Sequence, residues 1–181
     1  GLAGTNEIVQ LLRQTGEKDL VFCLISGGGS ALLPCPAEGI SLEDKQHLTK
    51  ALLDCGATIH EINSLRKQIS KVKGGRLARL VYPSTLISLI LSDVIGDNLD
   101  SIASGPTVPD ETTFADCLRI LEKYKIHHEI PDPVLEYFEK GRRGEVEESP
   151  KADDRIFVRT QNIIIGSNKQ AVSAATEQAD K

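Results

Sequence analysis

Residues 20–30 decide the fold, and they read Leu20-Val21-Phe22-Cys23-Leu24-Ile25-Ser26-Gly27-Gly28-Gly29-Ser30. Six apolar residues in succession predict a buried strand of a parallel sheet. The glycines have no Cβ and can turn the backbone sharply, so that several amide groups point at one anion. We therefore predict an anion cradle formed by Ser26, Gly27, Gly28, Gly29 and Ser30. The alternative is a plain strand-to-helix turn, which needs only one or two glycines.

Two more apolar segments, 85–91 and 161–165, have the character of buried strands, and helical patterns separate the three. Strands that alternate with helices predict an α/β fold, a three-layer α/β/α arrangement with a mostly parallel, Rossmann-like sheet. Three strands are few for 181 residues, so we expect the sheet to be incomplete. A short edge strand is expected at 156–158, and the charged segment 139–155 is expected to form a surface loop.

Polar turns follow all three strands, and parallel strands would bring these turns to one edge of the sheet. Asp93 ends the second strand, and Ser167 and Asn168 end the third. The Asp93 carboxylate could hold Mg²⁺ or orient a hydroxyl nucleophile; equally, it could make an Asx turn or cap a helix. Asp97 and Asp100, close by, are expected to be solvated loop residues.

A basic run begins in the helix that contains Asn63. Its five cations lie within eleven residues and are Arg66, Lys67, Lys71, Lys73 and Arg76. Such a run is usually a solvated helix face, but this one adjoins a second glycine pair at 74–75. Arginine binds phosphate or carboxylate through two parallel hydrogen bonds, and lysine acts as a point charge. The run therefore favours an anionic small ligand.

Composition excludes several classes of function. The net charge of −5 argues against a nucleic-acid surface, and no apolar run is long enough to cross a membrane. Four unpaired cysteines are typical of free thiols in a reducing compartment, which favours the cytoplasm. The chain has no methionine, so we expect it to be a piece or a processed form of a longer polypeptide. A serine hydrolase built on Ser26 or Ser30 is disfavoured, since the G-x-S-x-G elbow and a suitable histidine are missing.

Several motifs, in this order, resemble those of one known family. They are the glycine segment 21–33, Gly56-Ala57-Thr58-Ile59-His60-Glu61-Ile62-Asn63, the basic segment 66–78, Leu91-Ser92-Asp93-Val94-Ile95-Gly96-Asp97, the proline segment 102–110 and Gly166-Ser167-Asn168. The chain resembles the two-domain glycerate kinases, whose C-terminal part is called the MOFRL domain. The animal members look most similar, and the resemblance covers essentially the whole chain.

The resemblance implies ATP- and Mg²⁺-dependent phosphorylation of D-glycerate to 2-phosphoglycerate, in a cleft between two α/β domains. Residues 1–181 would be part of the N-terminal domain, without the MOFRL domain. Ser26–Ser30 would then cradle phosphates, Asp93 would lie near the metal and the hydroxyl, and Asn63, Arg66 and Lys73 would face the anionic substrate or nucleotide. The family's N-terminal lysine segment is missing, so we expect the isolated chain to be inactive. The alternative is a noncatalytic fragment that binds anions or a partner. The expected location of the parent protein is the cytoplasm, with the mitochondrion as the alternative.

Overall fold

Three strands and eight α-helices make up the part of the chain that the computed structural model describes, residues 1–179. The strands are β1 (Leu20–Ile25), β2 (Thr85–Ser92) and β3 (Thr160–Ser167). The helices are α1 (Leu2–Leu12), α2 (Gly29–Leu32), α3 (Leu42–Asp54), α4 (Ile59–Gln68), α5 (Arg76–Val81), α6 (Phe114–Tyr124), α7 (Asp132–Arg142) and α8 (Asn168–Ala179). Short 3-10 turns lie at Ile102–Ser104, His127–Glu129 and Arg155–Arg159.

The strands form one parallel sheet in the order β1-β2-β3. Leu20 lies opposite Thr85 and Ile25 lies opposite Ile90, so β1 pairs with β2 along its whole length without a change of register. Because all three strands run the same way, their carboxyl ends meet at one edge. The α/β class and the parallel sheet that the sequence predicts are confirmed.

Helices cover one face of this sheet. On that face Leu86 and Ile90 are 0% and 2% exposed, and Leu86 belongs to a core that α1 and α5 complete. On the opposite face Phe22 and Leu24 are 58% and 77% exposed. Within residues 1–179, the second helical layer of the predicted arrangement does not cover the sheet.

A second core lies among α3, α4, α6 and α7, where Leu48, Leu65, Phe114 and Phe138 are all fully buried. The start of α4 is fixed by a capping box, since the Thr58 hydroxyl accepts from the Glu61 amide and the Glu61 carboxylate accepts from the Thr58 amide. This helix packs against α6 and projects Asn63 and Arg66 toward the glycine turn.

Two predictions about the C-terminal third are wrong. Residues 156–158 form a 3-10 turn instead of an edge strand, because Ile156 packs into the core beside Leu86. The segment 139–155 is not simply a surface loop: α7 continues to Arg142, and Ser149 is only 1% exposed. No helix within residues 1–179 has the length and apolar character needed to cross a membrane.

Candidate functional site

The polar turns that follow the three strands meet at the carboxyl edge of the sheet. They line a cavity of about 490 Å³, which we call the edge cavity, and its wall includes Ser26, Gly27, Asp93, Ser167 and Asn168. The side-chain amide of Asn168 donates to the carbonyl oxygen of Asp93 at 3.4 Å, which joins the turns after β2 and β3. The convergence that the sequence suggests is therefore present in the structure.

Each glycine of the triplet has its own steric requirement. A Cβ on Gly27 would overlap the Asp93 carboxylate, and one on Gly29 would lie 3.1 Å from the Ala103 Cβ. Gly28 has φ +79°, in the left-handed region that favours glycine. The amides of Gly27 and Gly28 find no acceptor within the described chain, so both remain available as donors.

Asp93 is exposed and points its carboxylate across the mouth of the glycine turn. Among residues 1–179 no backbone amide donates to this carboxylate, in contrast to an Asx turn or a helix cap. No group of three or more His, Cys, Asp or Glu side chains gathers around a common point in the described residues. One carboxylate suits Mg²⁺, which is commonly held by one or two carboxylates together with substrate phosphates and water.

Behind the glycine turn lies a connected set of hydroxyl and amide groups. The hydroxyls of Ser30 and Ser104 are 2.7 Å apart, and the Ser104 hydroxyl donates to Asn63 Oδ1 at 3.4 Å. Ser104 is fully buried with φ +63°, and its neighbour Ala103 has φ +52°. Two successive non-glycine residues in the left-handed region are unusual, and such strain is often found at functional sites.

Lys73 is completely buried beneath Ser30. Its amino group donates to the Ser30 carbonyl at 2.9 Å, and the Ser30 hydroxyl and Ala103 carbonyl lie 3.5 and 3.4 Å away. Burial, followed by the positive charges of Arg66 and Lys45, lowers the pKa of Lys73 to about 7. Lys73 therefore gains or loses a proton near neutral pH.

Two further cations, Arg66 and Lys45, act on Lys73 through their charge. Arg66 donates to the Ser30 carbonyl at 3.3 Å and to Asn63 Oδ1 at 3.5 Å, while its Nε is buried without a partner. Burial lowers the pKa of Arg66, and burial together with the charge of Arg66 lowers the pKa of Lys45. The sequence analysis missed Lys45. A signal was present, since Lys45 lies three residues before Leu48 and seven before Leu52 on the buried stripe of α3.

The other members of the basic run do not face the glycine turn. Lys67 is buried and forms salt bridges with Asp100 at 2.8 Å and Asp110 at 3.4 Å. The expectation that Asp100 is merely a solvated loop residue is therefore wrong. Arg76 donates to the Lys67 carbonyl at 2.8 Å. The Lys67 salt bridges hold α4 to the loop after β2, and Arg76 joins the start of α5 to the end of α4. Lys71 is exposed.

A second cavity, of about 440 Å³, opens on the other side of the turn, and we call it the basic cavity. Its wall consists of Ser30, Ile59, His60, Asn63, Arg66, Val94, Ile95, Asn98 and Ser101, without any acidic residue. Ser30 thus faces the basic cavity, while Ser26 and Gly27 face the edge cavity. No histidine within residues 1–179 forms a hydrogen bond with Ser26 or Ser30, which leaves a serine hydrolase without its usual base.

Known proteins match this chain over nearly its whole length. A glycerate 2-kinase of Pyrococcus horikoshii is 51% identical over 180 residues, which are 99% of this chain and 40% of that protein. A glycerate kinase of Rattus norvegicus is 45% identical over 179 residues, 99% of this chain and 33% of that protein.

Two crystal structures have the same fold. A protein of Pyrococcus horikoshii matches with a TM-score of 0.90 and 51% identity, and a glycerate kinase from Thermotoga maritima matches with a TM-score of 0.85 and 41% identity. Each match covers 99% of this chain and 40% of the solved chain. The chain therefore spans a third to two fifths of the length of these relatives.

A domain family described as "Domain of unknown function (DUF4147)" matches residues 1–139. This match covers most of the chain and includes the glycine turn, Asp93 and the three cations. The chain belongs to the DUF4147 family and is homologous to the glycerate kinases.

Proposed function

We propose that the protein containing this chain is a glycerate kinase that transfers a phosphoryl group from ATP to D-glycerate and yields 2-phosphoglycerate. The observation that carries the proposal is the juxtaposition, at one sheet edge, of free glycine amides, a lone carboxylate and two cations that contact the turn, the half-buried Arg66 and the buried Lys73. Phosphoryl transfer depends mainly on positioning and charge stabilisation, and these groups supply both. The name of the Pyrococcus relative, a glycerate 2-kinase, supports the choice of hydroxyl.

Different residues around the glycine turn would bind the phosphates and the metal ion. The amides of Gly27 and Gly28, with the hydroxyls of Ser26 and Ser30, would bind phosphate oxygens. Asp93 would hold Mg²⁺, and Ser167 and Asn168 would bind phosphate or substrate beside it. The metal would supply Lewis-acid stabilisation of the charge on the transferred phosphoryl group.

The positively charged side chains of Arg66 and Lys73 would stabilise the negative charge of the reactants. Arg66 and Lys73, together with the Asn63 amide, would face the substrate or the nucleotide from beneath Ser30. Lys73 touches Ser30 directly, and its positive charge would offset negative charge at the turn.

The same proposal assigns residues 1–181 to the N-terminal α/β domain of the full-length protein. A MOFRL domain would form the other wall of the cleft, and closure of the two walls would exclude water from the phosphoryl group. We place the protein in the cytoplasm, with a mitochondrial location as the alternative.

The other candidate is a noncatalytic protein that binds anions through the same turn. An assay of ADP formation by the full-length protein with ATP and Mg²⁺ separates the two. We expect ADP to form with D-glycerate and not with glycerol, which lacks the carboxylate. Equal ADP formation in both reactions, or none in either, would contradict the kinase proposal.

A further inference from the structure

Ser104 is fully buried behind the glycine turn, and its hydroxyl contacts the hydroxyl of Ser30, which lines the basic cavity. We propose that Ser104 is a positioning residue: its hydroxyl donates to Ser30 Oγ and so directs the Ser30 proton into the basic cavity, toward a phosphate oxygen of the nucleotide. This inference rests on the proposed function, in which Ser30 binds phosphate, and it adds a residue that acts only through Ser30.

The protons of the two hydroxyls limit what Ser30 can do. A serine hydroxyl donates one hydrogen bond and accepts up to two. The two oxygens are 2.7 Å apart, and either serine can be the donor. If Ser30 donates, its only proton points inward, and its outward side presents lone pairs that repel an anion. If Ser104 donates, the Ser30 proton is free for a ligand.

The distances favour donation by Ser104 to Ser30. The other acceptor of the Ser104 proton is Asn63 Oδ1, but this contact is 3.4 Å long, against 2.7 Å for the contact with Ser30. Asn63 Oδ1 also accepts from Arg66 at 3.5 Å, so it keeps a donor when the Ser104 proton turns to Ser30. Donation to Ser30 therefore gives up only a weak hydrogen bond.

The inward side of Ser30 Oγ faces a second donor as well. The Lys73 amino group lies 3.5 Å from this oxygen, and in its charged form it can only donate. With donors from both Ser104 and Lys73 on that side, the Ser30 proton has its acceptor in the basic cavity. The wall of this cavity contains no Asp or Glu, so an anionic ligand would meet a donor there without a competing carboxylate.

The backbone conformation of Ser104 shows that the hydroxyl is what serine adds at this position. Its φ of +63° lies in the left-handed region that glycine occupies with least strain, and the next residue, Gly105, has φ +59°. The Ser104 amide donates to the Ser101 carbonyl at 3.1 Å, and the Ser104 carbonyl accepts from the Gly74 amide at 3.0 Å. Glycine could make both of these backbone bonds, but it could not donate to Ser30.

The test removes the hydroxyl in two ways in the full-length protein. Ser104→Ala retains the left-handed strain and Ser104→Gly relieves it, while both lose the donor. Ser88→Ala is the matched control, because Ser88 is fully buried and its Oγ has no hydrogen-bond partner within the described residues. Steady-state kinetics give kcat and the KM values for ATP and D-glycerate, and calorimetry gives the Kd of Mg-ATP.

Both Ser104 variants should weaken Mg-ATP binding and lower kcat/KM for ATP by about 10-fold, as expected for loss of a hydrogen bond to a charged group. The KM for D-glycerate should stay the same, and Ser88→Ala should match the wild type. Ser30→Ala should cause a loss of the same size. Adding Ser104→Ala to Ser30→Ala should cause little further loss, because Ser104 acts only through Ser30.

The outcomes separate this inference from the proposed function. Wild-type kinetics in both Ser104 variants, or losses that multiply in the double variant, would overturn the inference and keep the kinase. Activity that Ser104→Ala loses and Ser104→Gly retains would also overturn it, since the backbone would then be responsible. A rise in the KM for D-glycerate alone would overturn the assignment to a phosphate. Mg-ATP binding that depends on Ser104 through Ser30, without ADP formation, would overturn the kinase proposal and keep the inference.

Discussion

The carboxylate of Asp93 lies in the space that a Cβ on Gly27 would occupy. Two turns that are more than sixty residues apart in the chain therefore fit together only when the first has no side chain. This contact links the proposed phosphate cradle to the proposed metal ligand, and the first two predictions below depend on it.

Replacing Gly27 with alanine should push Asp93 away from the mouth of the turn. A shift of about 1 Å can cost on the order of 100-fold in rate, so we expect a loss of this size in kcat. Gly4→Ala is the matched control, since nothing lies within 4 Å of a Cβ at Gly4. Steady-state kinetics of the full-length variants check the prediction. Equal kcat values for Gly27→Ala and the wild type would mean that the contact has no role in activity.

Asp93→Asn keeps the shape of the side chain and removes its charge. A hard cation prefers a carboxylate, so the Mg²⁺ concentration that gives half-maximal rate should rise at least about tenfold. Asp97→Asn, in the same loop, should leave this concentration unchanged. Titration of the rate with Mg²⁺ at saturating ATP measures both. If the two variants respond alike, Asp93 is an ordinary turn residue.

The main features of this edge could be predicted from the sequence because they are local. An apolar run followed by glycines is enough to identify β1 and its turn, and parallel strands bring Asp93 and Asn168 to the same edge. Arg66 and Lys67 show the limit of such reasoning. They are neighbours in the chain, yet about 100° of helix rotation separates them, so one reaches Ser30 and the other Asp110.

Features that depend on tertiary packing could not be predicted in this way. The charge of Lys45 acts on Lys73 only because α3 packs on α4, and Ser104 meets Ser30 only because its loop turns back under the glycines. Helical spacing could have indicated that Lys45 is buried, but no local pattern indicates which charges it meets.

Lys73 should make stability depend on pH. Its pKa is lowered from 10.5 to about 7 in the folded protein, so between these values the unfolded chain binds a proton that the folded chain lacks. Stability should therefore rise with pH across this window, by at most about 1.4 kcal/mol per pH unit from this group. Burial is the largest cause of the lowered pKa, and the positive charges of Arg66 and Lys45 add to it.

Urea unfolding of Lys73→Met and wild type at pH 7, 8 and 9 measures this dependence. The free energy of unfolding of the wild type should rise relative to that of the variant as the pH increases. Lys71→Met, at an exposed position nearby, should track the wild type. A difference between Lys73→Met and wild type that stays constant with pH would contradict the lowered pKa.

Asp110 should matter for stability. It is fully buried, and its carboxylate accepts from Lys67 at 3.4 Å and from the Thr112 amide at 3.1 Å. Asp110→Ala leaves the Thr112 amide without its acceptor, while Lys67 keeps its salt bridge to Asp100, so the variant should lose about 1–3 kcal/mol of free energy of unfolding. Glu136→Ala, which breaks the exposed pair with Lys140, should cost far less, because solvent screens a surface pair. Similar losses in the two variants, measured by urea unfolding, would show that the Asp110 network contributes little.

The central claim is that the full-length protein phosphorylates D-glycerate at the glycine turn, and ³¹P NMR of a single reaction mixture tests it most directly. With ATP, Mg²⁺ and D-glycerate, the wild type should lose the ATP γ-phosphate signal. Signals of ADP and of a phosphate monoester whose phosphorus is coupled to the C2 proton should replace it. Gly28→Val should form little or no monoester in the same time, because valine does not adopt φ +79° and would obstruct the turn amides. Absence of the monoester with the wild type, or its formation at the wild-type rate by Gly28→Val, would contradict the claim.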